Sequence, residues 1–309
     1  MPASCFEARS YVLKNATVPV SVVADPHSGD LEKLDLTISD GGITKIEPAG
    51  SGDPGLAAHD CDGGLVLPAF VDTHTHLDKG HMWPRTANPD GSWLAALNAC
   101  RMDHARELPP EDIVRRMDFA LRSAFAHGTA AIRTHLDSVP PRTETVWQVF
   151  DEIRERWAGR IELQAVSLIG TDQMLEPEIL DFVAKRTLAS SGIMGGSVAV
   201  HPEARKAVFA AVEKAGNLGL DLDFHCDETG DPEANALRHL ADAIIETGFP
   251  GKAVAGHCCV LAVQDAAWAQ TTIERAVEAG IGIVSLPMCN MFLQDRWTGA
   301  VCGHRRRSI

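Results

Sequence analysis

Three segments of this chain place residues where metal chemistry could be done. His74-Thr75-His76 closes the run LVLPAFVDTHTH, His225 and Glu228 close LDLDFHCDE, and His257 closes KAVAGHC. Alternate residues of a strand point to one side, so His74 and His76 can present both imidazoles to a single cation. His225 adds a third imidazole, and Glu228, three residues on, adds a carboxylate able to move protons beside an activated water. His257 serves either as a further ligand or as the group that orients that water. Each feature also has a plain structural reading. The paired histidines can be solvated or core-capping, Glu228 can be a first-turn acid favoured by a helix dipole, and His257 can be a hydrogen-bonded core histidine. Asp227 suits the capping role better than Glu228 does. His135 and Asp137, in IRTHLDS, read equally as pocket lining and as a hydrogen-bonded rim pair. Lys79, His81 and Trp83 fall on the loop after the first histidines, where an aromatic ring could stack on a planar substrate. No glycine-rich phosphate loop, serine elbow or dinucleotide fingerprint competes with the histidines, so the chemistry is expected to come from a metal.

These residues need rigid strand ends to hold them. From Tyr11 to Leu65 short alternating runs broken by Asp-Gly-Gly and Gly-Asp-Pro predict small antiparallel strands with tight turns, a β-sandwich-like domain over residues 1–65. After Gly63 and Gly64 apolar strand runs alternate with amphipathic helical stretches, which predicts parallel βα units over residues 66–296. The strands are LVLPAFVDTHTH, TAAIRTHLD, IELQAVSLIG, GIMGGSVAV, LDLDFHCDE, KAVAGHC and IGIVSLPM. Leu65 to Val71, nearly continuous in apolar residues, predicts a buried first strand. One helix carries Ile113, Met117, Leu121, Ala124 and Phe125 after Pro109 and Pro110. A second carries Val146, Phe150, Ile153 and Trp157, and a third carries Leu237, Leu240, Ala241 and Ile244 before Gly248. The fold class expected is α/β, a (β/α)8 TIM-type barrel. About seven units can be counted where eight close a barrel, so it is read as incomplete at its C-terminal end. Residues 297–309 read as an aberrant basic tail.

The 309 residues are 45% hydrophobic and 23% charged, enough to bury a large core. Lys and Arg number 28 against 42 Asp and Glu, a net charge of -14, so the surface field repels phosphate backbones and anionic lipids. Nucleic acid and membrane are therefore not expected as partners. No apolar run approaches the roughly 18 residues of a bilayer span, and a cytoplasmic location is expected. The eight cysteines form no regular framework, and Cys258-Cys259 falls inside a core segment, so reduced thiols are expected.

The chain resembles the amidohydrolase superfamily, in the branch of cytosine deaminases and N-isopropylammelide amidohydrolase-like enzymes. The resemblance rests on LPAFVDTHTHLD, IRTHLD, IELQAVSL, FHCDE, AGHC and LPMCNMFLQDR. It implies one divalent metal ion, Zn or Fe, on His74, His76 and His225, a proton-shuttling role for Glu228, and a water-orienting role for His257. It implies hydrolysis of a non-peptide C–N bond in a small nitrogenous heterocycle, with deamination as the first expectation. N-alkyl or cyclic amide hydrolysis is the alternative on the same scaffold. The family's fourth ligand, an aspartate ending an eighth strand, has no counterpart here. After His257 only Asp265 and Asp295 remain, so a truncated, catalytically impaired metal-binding remnant stays open. The pyrimidine-reading glutamine would fall near Gly170, while Gln164 lies on the preceding strand. Self-association into a homo-oligomer is expected at an open barrel edge.

Overall fold

The computed structural model describes residues 8–23, 30–88, 90–106, 108–198 and 200–293. The chain divides into two units, Met1–Ala69 and Phe70–Ile309. In the first, strands β1 (Ser10–Pro19), β2 (Leu31–Ser39), β3 (Gly42–Pro48) and β4 (Ala57–Asp60) form one sheet in the order β3-β2-β1-β4. β2 runs antiparallel to β1 and to β3, as expected, with Asp40 and Gly41 at positive φ in the tight turn between β2 and β3. Two expectations are corrected. β4 pairs parallel with β1, and the described residues make a single sheet rather than two facing ones. The buried Asp35 supplies a physical reason. Its carboxylate accepts hydrogen bonds from the amides of Asn15, Gly50 and Gly52, which holds the return segment against β2 and delivers β4 alongside β1. Burial opposes the charge on Asp35, but these three amides hold its carboxyl below the usual range.

The second unit is α/β. Its strands are β5 (Phe70–Thr75), β6 (Thr129–Asp137), β7 (Glu162–Leu168), β8 (Met194–Val198), β9 (Leu222–Cys226), β10 (Ala253–His257) and β11 (Gly282–Val284). Its helices are α1 (Trp93–His104), α2 (Pro110–Ala126), α3 (Thr143–Trp157), α4 (Thr171–Leu175), α5 (Pro177–Ala189), α6 (Ala204–Leu218), α7 (Ala236–Thr247), α8 (Ala266–Glu278) and α9 (Pro287–Leu293). All the strand pairings in this unit are parallel and join neighbours in sequence. Bridges Val166↔Ile193 and Gly170↔Ser197 link the three-stranded and four-stranded parts. Neighbouring strands stand about 4.8 Å apart, so in a flat sheet β5 and β9, four places apart, would be about 19 Å from each other. Nε2 of His74 on β5 nevertheless lies 3.2 Å from Nε2 of His225 on β9. The sheet must therefore curl on itself, as a TIM-type barrel does.

Helices cover the outside. Phe224, Leu222 and Ala255 pack with Val208, Val212, Leu237, Leu240 and Ile244 in one cluster. Ile132, Leu136 and Leu163 pack with Met117, Leu121, Trp147, Phe150 and Trp157 in another. The three predicted helices are α2, α3 and α7. Phe125, assigned to the buried stripe of α2, is instead 49% exposed. Each i+4 step turns about 40° round a helix, so the Ile113, Met117, Leu121 stripe has drifted about 120° by residue 125. Leu65 to Val71 is the second correction of burial. β5 begins only at Phe70, and Phe70 and Val71 are 59% and 62% exposed. Among the described residues β5 is hydrogen-bonded on one side only, to β6, so the run lacks the second neighbour that a buried parallel strand has. Seven strands of the barrel lie in the described residues, where eight are expected of a closed one. The tail assigned to 297–309 lies outside them.

Candidate metal centre and active site

The side chains that the parallel strands carry to one rim converge. Nε2 of His225 is 3.2 Å from Nε2 of His74 and 3.1 Å from Nε2 of His76. Tetrahedral zinc with nitrogens at about 2.05 Å holds neighbouring ligand atoms about 3.4 Å apart, and both distances to His225 stand close to that spacing. Burial is the first cause that keeps these rings neutral. It takes His74 down to about 2, with the charges of His135, His257 and Lys79 adding to it. The same cause puts His76 and His225 well below their ordinary value. Neutral imidazoles with lone pairs at a common point are what a divalent cation binds. Gly256 on β10 makes room for this, because a methyl group there would lie 2.8 Å from Cε1 and 2.9 Å from Nδ1 of His74.

His135, at the end of β6, joins the cluster. One ligand-capable atom each of His74, His76, His135 and His225 lies within 4.8 Å of the others. The His135 ring is wholly buried, and its Nε2 is 3.2 Å from Oδ1 of Asp223. Arg133 donates from Nη1 to the other oxygen of Asp223 and from Nε and Nη2 to Oε1 of Gln164. The buried carboxylate of Asp223 is thus matched by a guanidinium. Sequence reading kept His135 as a rim candidate and left it outside the ligand set. Asp223 it missed, because its position inside a strand run carries no polar signal of its own.

His257 ends β10 with φ +70, and Cys258 follows at φ +50. Two successive non-glycine residues in the left-handed region are costly and tend to persist where function requires them. The imidazole of His257 lies 4.9 Å from that of His225 and 5.0 Å from that of His74, centroid to centroid. Its Nδ1 is 3.5 Å from Oε1 of Glu228 and within hydrogen-bond distance of the buried Asn290 amide. Burial first, and His135 among its neighbours, hold His257 below its ordinary value against the opposing pull of Glu228 and Asn290. Glu228 is no first-turn acid, since α7 starts only at Ala236. Asp227, also outside the helix, caps its start by accepting from the amides of Ala236 and Leu237 at 2.7 and 3.0 Å.

The loop residues sort differently. Lys79 donates to Asp137 at 2.8 Å, and His104 meets the other oxygen of Asp137 at 3.1 Å. Burial works against both charges, yet the pair holds Asp137 below and Lys79 above their usual ranges. Asp78, which accepts from the Asp137 amide, is pushed up to about 6 by burial and by the Asp137 charge. His81 packs edge-on against Phe119. Trp83, His81 and Lys79 line a groove of about 290 Å³ together with Met82, Thr86 and Cys100. The amide of Gly170 donates to Oε1 of Gln173, not to a substrate-facing side chain. Asp265 caps α8 through the amides of Ala267 and Trp268, far from a ligand's role, and Asp295 lies outside the described residues.

A curled parallel sheet with imidazoles gathered at one rim defines a metal-binding hydrolase scaffold. The chain belongs to the amidohydrolase family, whose profile matches residues 65–300. It is 45% identical over 295 residues to a pterin deaminase of Rhizobium rhizogenes, a match covering 94% of this chain and 68% of that one. Among solved structures it resembles 5-methylcytosine deaminase from Klebsiella pneumoniae liganded with 5-fluorocytosine. There the TM-score is 0.79 at 23% identity, covering 95% of this chain and 70% of that one. It also resembles N-isopropylammelide isopropylaminohydrolase from Burkholderia multivorans, with a TM-score of 0.70 at 26% identity over 90% of this chain and 68% of that one. Among the described residues no helix is long and apolar enough to cross a membrane.

Proposed function

We propose that this protein is a metal-dependent deaminase that removes an exocyclic amino group as ammonia from a small planar nitrogen heterocycle, with a pterin-type ring as the first substrate to test. The observation that carries the reading is that Nε2 of His225 lies 3.2 Å from that of His74 and 3.1 Å from that of His76, with the His257 ring nearby and Glu228 beside it. The pterin preference is supported by the 45% identity to a pterin deaminase. Zn²⁺ or Fe²⁺ on the three imidazoles would supply the Lewis acidity that brings the pKa of water to about 7.

The chain's own groups then divide the proton work. The Glu228 carboxylate accepts a proton from the attacking water and returns it to the departing amine. His257 keeps Nε2 buried and without a hydrogen-bond partner, on a ring 4.9 and 5.0 Å from those of His225 and His74, and we assign it to orienting the water and the tetrahedral carbon's oxygen. Lys79, held by Asp137, lines the same groove as Trp83, where a planar ring can stack.

The test is release of ammonia from pterin and from cytosine, set against release of isopropylamine from N-isopropylammelide, by protein loaded with zinc or iron. We expect one equivalent of metal and ammonia from the pterin. His76→Ala is expected to weaken metal binding by more than about 100-fold. A protein that binds no stoichiometric metal, or that frees ammonia from neither heterocycle, overturns the proposal; isopropylamine release alone moves the chain to N-alkyl hydrolysis.

A further inference from the structure

His257 has its backbone set by strain, but φ and ψ fix only the direction of the Cα–Cβ bond. Which ring nitrogen carries the proton must be set by what the ring touches. Two groups face Nδ1. Oε1 of Glu228 is 3.5 Å away, and the amide of Asn290, buried on α9, has Oδ1 at 3.3 Å and Nδ2 at 3.1 Å. Nε2, on the far side of the ring, is buried without a hydrogen-bond partner.

These contacts discriminate between the two neutral rings. A carboxylate oxygen accepts, but at 3.5 Å Glu228 stands beyond an ordinary hydrogen bond, so it favours a proton on Nδ1 without fixing it there. If Nδ1 were bare and accepted from Nδ2 of Asn290, its electron-rich nitrogen would lie beside a carboxylate oxygen with no proton between them. With the amide turned so that Oδ1 faces the ring, Nδ1–H donates toward Asn290 and lies favourably beside Glu228, and nothing repels. We infer that Asn290 is a positioning residue: through Oδ1 it holds His257 as the Nδ1–H form, so that Nε2 offers a lone pair to the site. The inference rests on the proposed hydrolase reading only for its use, since an Nε2 lone pair is the form that accepts a hydrogen bond from a water and so orients it.

The test reads the ring directly. Protein labelled with ¹⁵N-histidine is prepared metal-free and with zinc, and the His257 nitrogens are assigned by their loss in His257→Gln. In wild type Nδ1 is expected at a protonated shift and Nε2 at an unprotonated one. Asn290→Asp, which can only accept, keeps that pattern. Asn290→Leu, of similar size but without an acceptor, moves the two nitrogens toward averaged shifts and lowers kcat about 10-fold or more with KM nearly unchanged, while the backbone amide spectrum stays that of a folded protein. An Nε2–H ring in wild type overturns the inference whether or not Asn290→Leu folds. So does an Asn290→Asp ring that switches to Nε2–H, or a folded Asn290→Leu with the wild-type shifts. Zinc stoichiometry on the same samples separates the two readings: a protein that binds no zinc but shows Nδ1–H at His257 loses the hydrolase reading and keeps this one.

Discussion

Gly256 passes behind the His74 ring so closely that even one methyl group has no room there. Its ideal Cβ would sit inside 3 Å of two ring atoms, a distance that real contacts do not show. Gly256→Ala must therefore push the His74 imidazole off the position it shares with His76 and His225. Zinc affinity, measured by competition with a chromophoric chelator, is expected to fall about 10- to 100-fold. Unaltered affinity would mean that His74 is no ligand. The same comparison shows what a sequence can reveal at this scale. His74, His76, His225, Glu228 and His257 were legible as candidates because each ends an apolar run, and strand ends in parallel sheets gather at one rim. Gly256, Asp223 and Asn290 were not, because each acts on a residue from a different strand. Contacts of that kind come from the curl of the sheet, which no local pattern encodes. Asn290 was in view only as part of LPMCNMFLQDR, with no role attached.

At the level of elements, α7 depends on a carboxylate nine residues upstream. Asp227, at φ +54, accepts from the amides of Ala236 and Leu237, two of the donors that a helix start leaves without partners. Asp227→Ala removes both acceptors from a buried place and is expected to cost about 2 kcal/mol, seen as a lower urea midpoint of the metal-free protein. Asp227→Asn keeps an acceptor and tolerates the positive φ, so its loss should be smaller. Equal stability of wild type and Asp227→Ala would deny the capping role. The seven strand runs and the α2, α3 and α7 stripes could be read from periodicity, since those segments bury one face against the sheet. The exposure of Phe70 and Val71 could not, because an apolar run looks the same whether one neighbour pairs with it or two.

Across the whole molecule, a site built from neutral buried histidines ties stability to pH. In the metal-free protein His74 binds its proton only near pH 2, and His76 and His225 also sit far below the ordinary 6.5. Between those values the unfolded chain carries protons that the folded chain refuses. Stability is therefore fully present above about pH 6.5 and declines as pH falls, by about 1.4 kcal/mol per unit for each such ring. Urea unfolding of the metal-free protein at about pH 7 and about pH 5 measures this, and a profile flat over that interval would contradict neutral rings in the fold. The distance along the chain between the converging imidazoles has its own consequence. His74 and His225 are 151 residues apart in sequence, yet their nitrogens touch. A cation gripped by both acts as a removable staple across half the polypeptide, and closing a loop of that length is worth about 5 kcal/mol against the unfolded chain. A chelator would then do to this protein what a reducing agent does to a disulfide-bonded one.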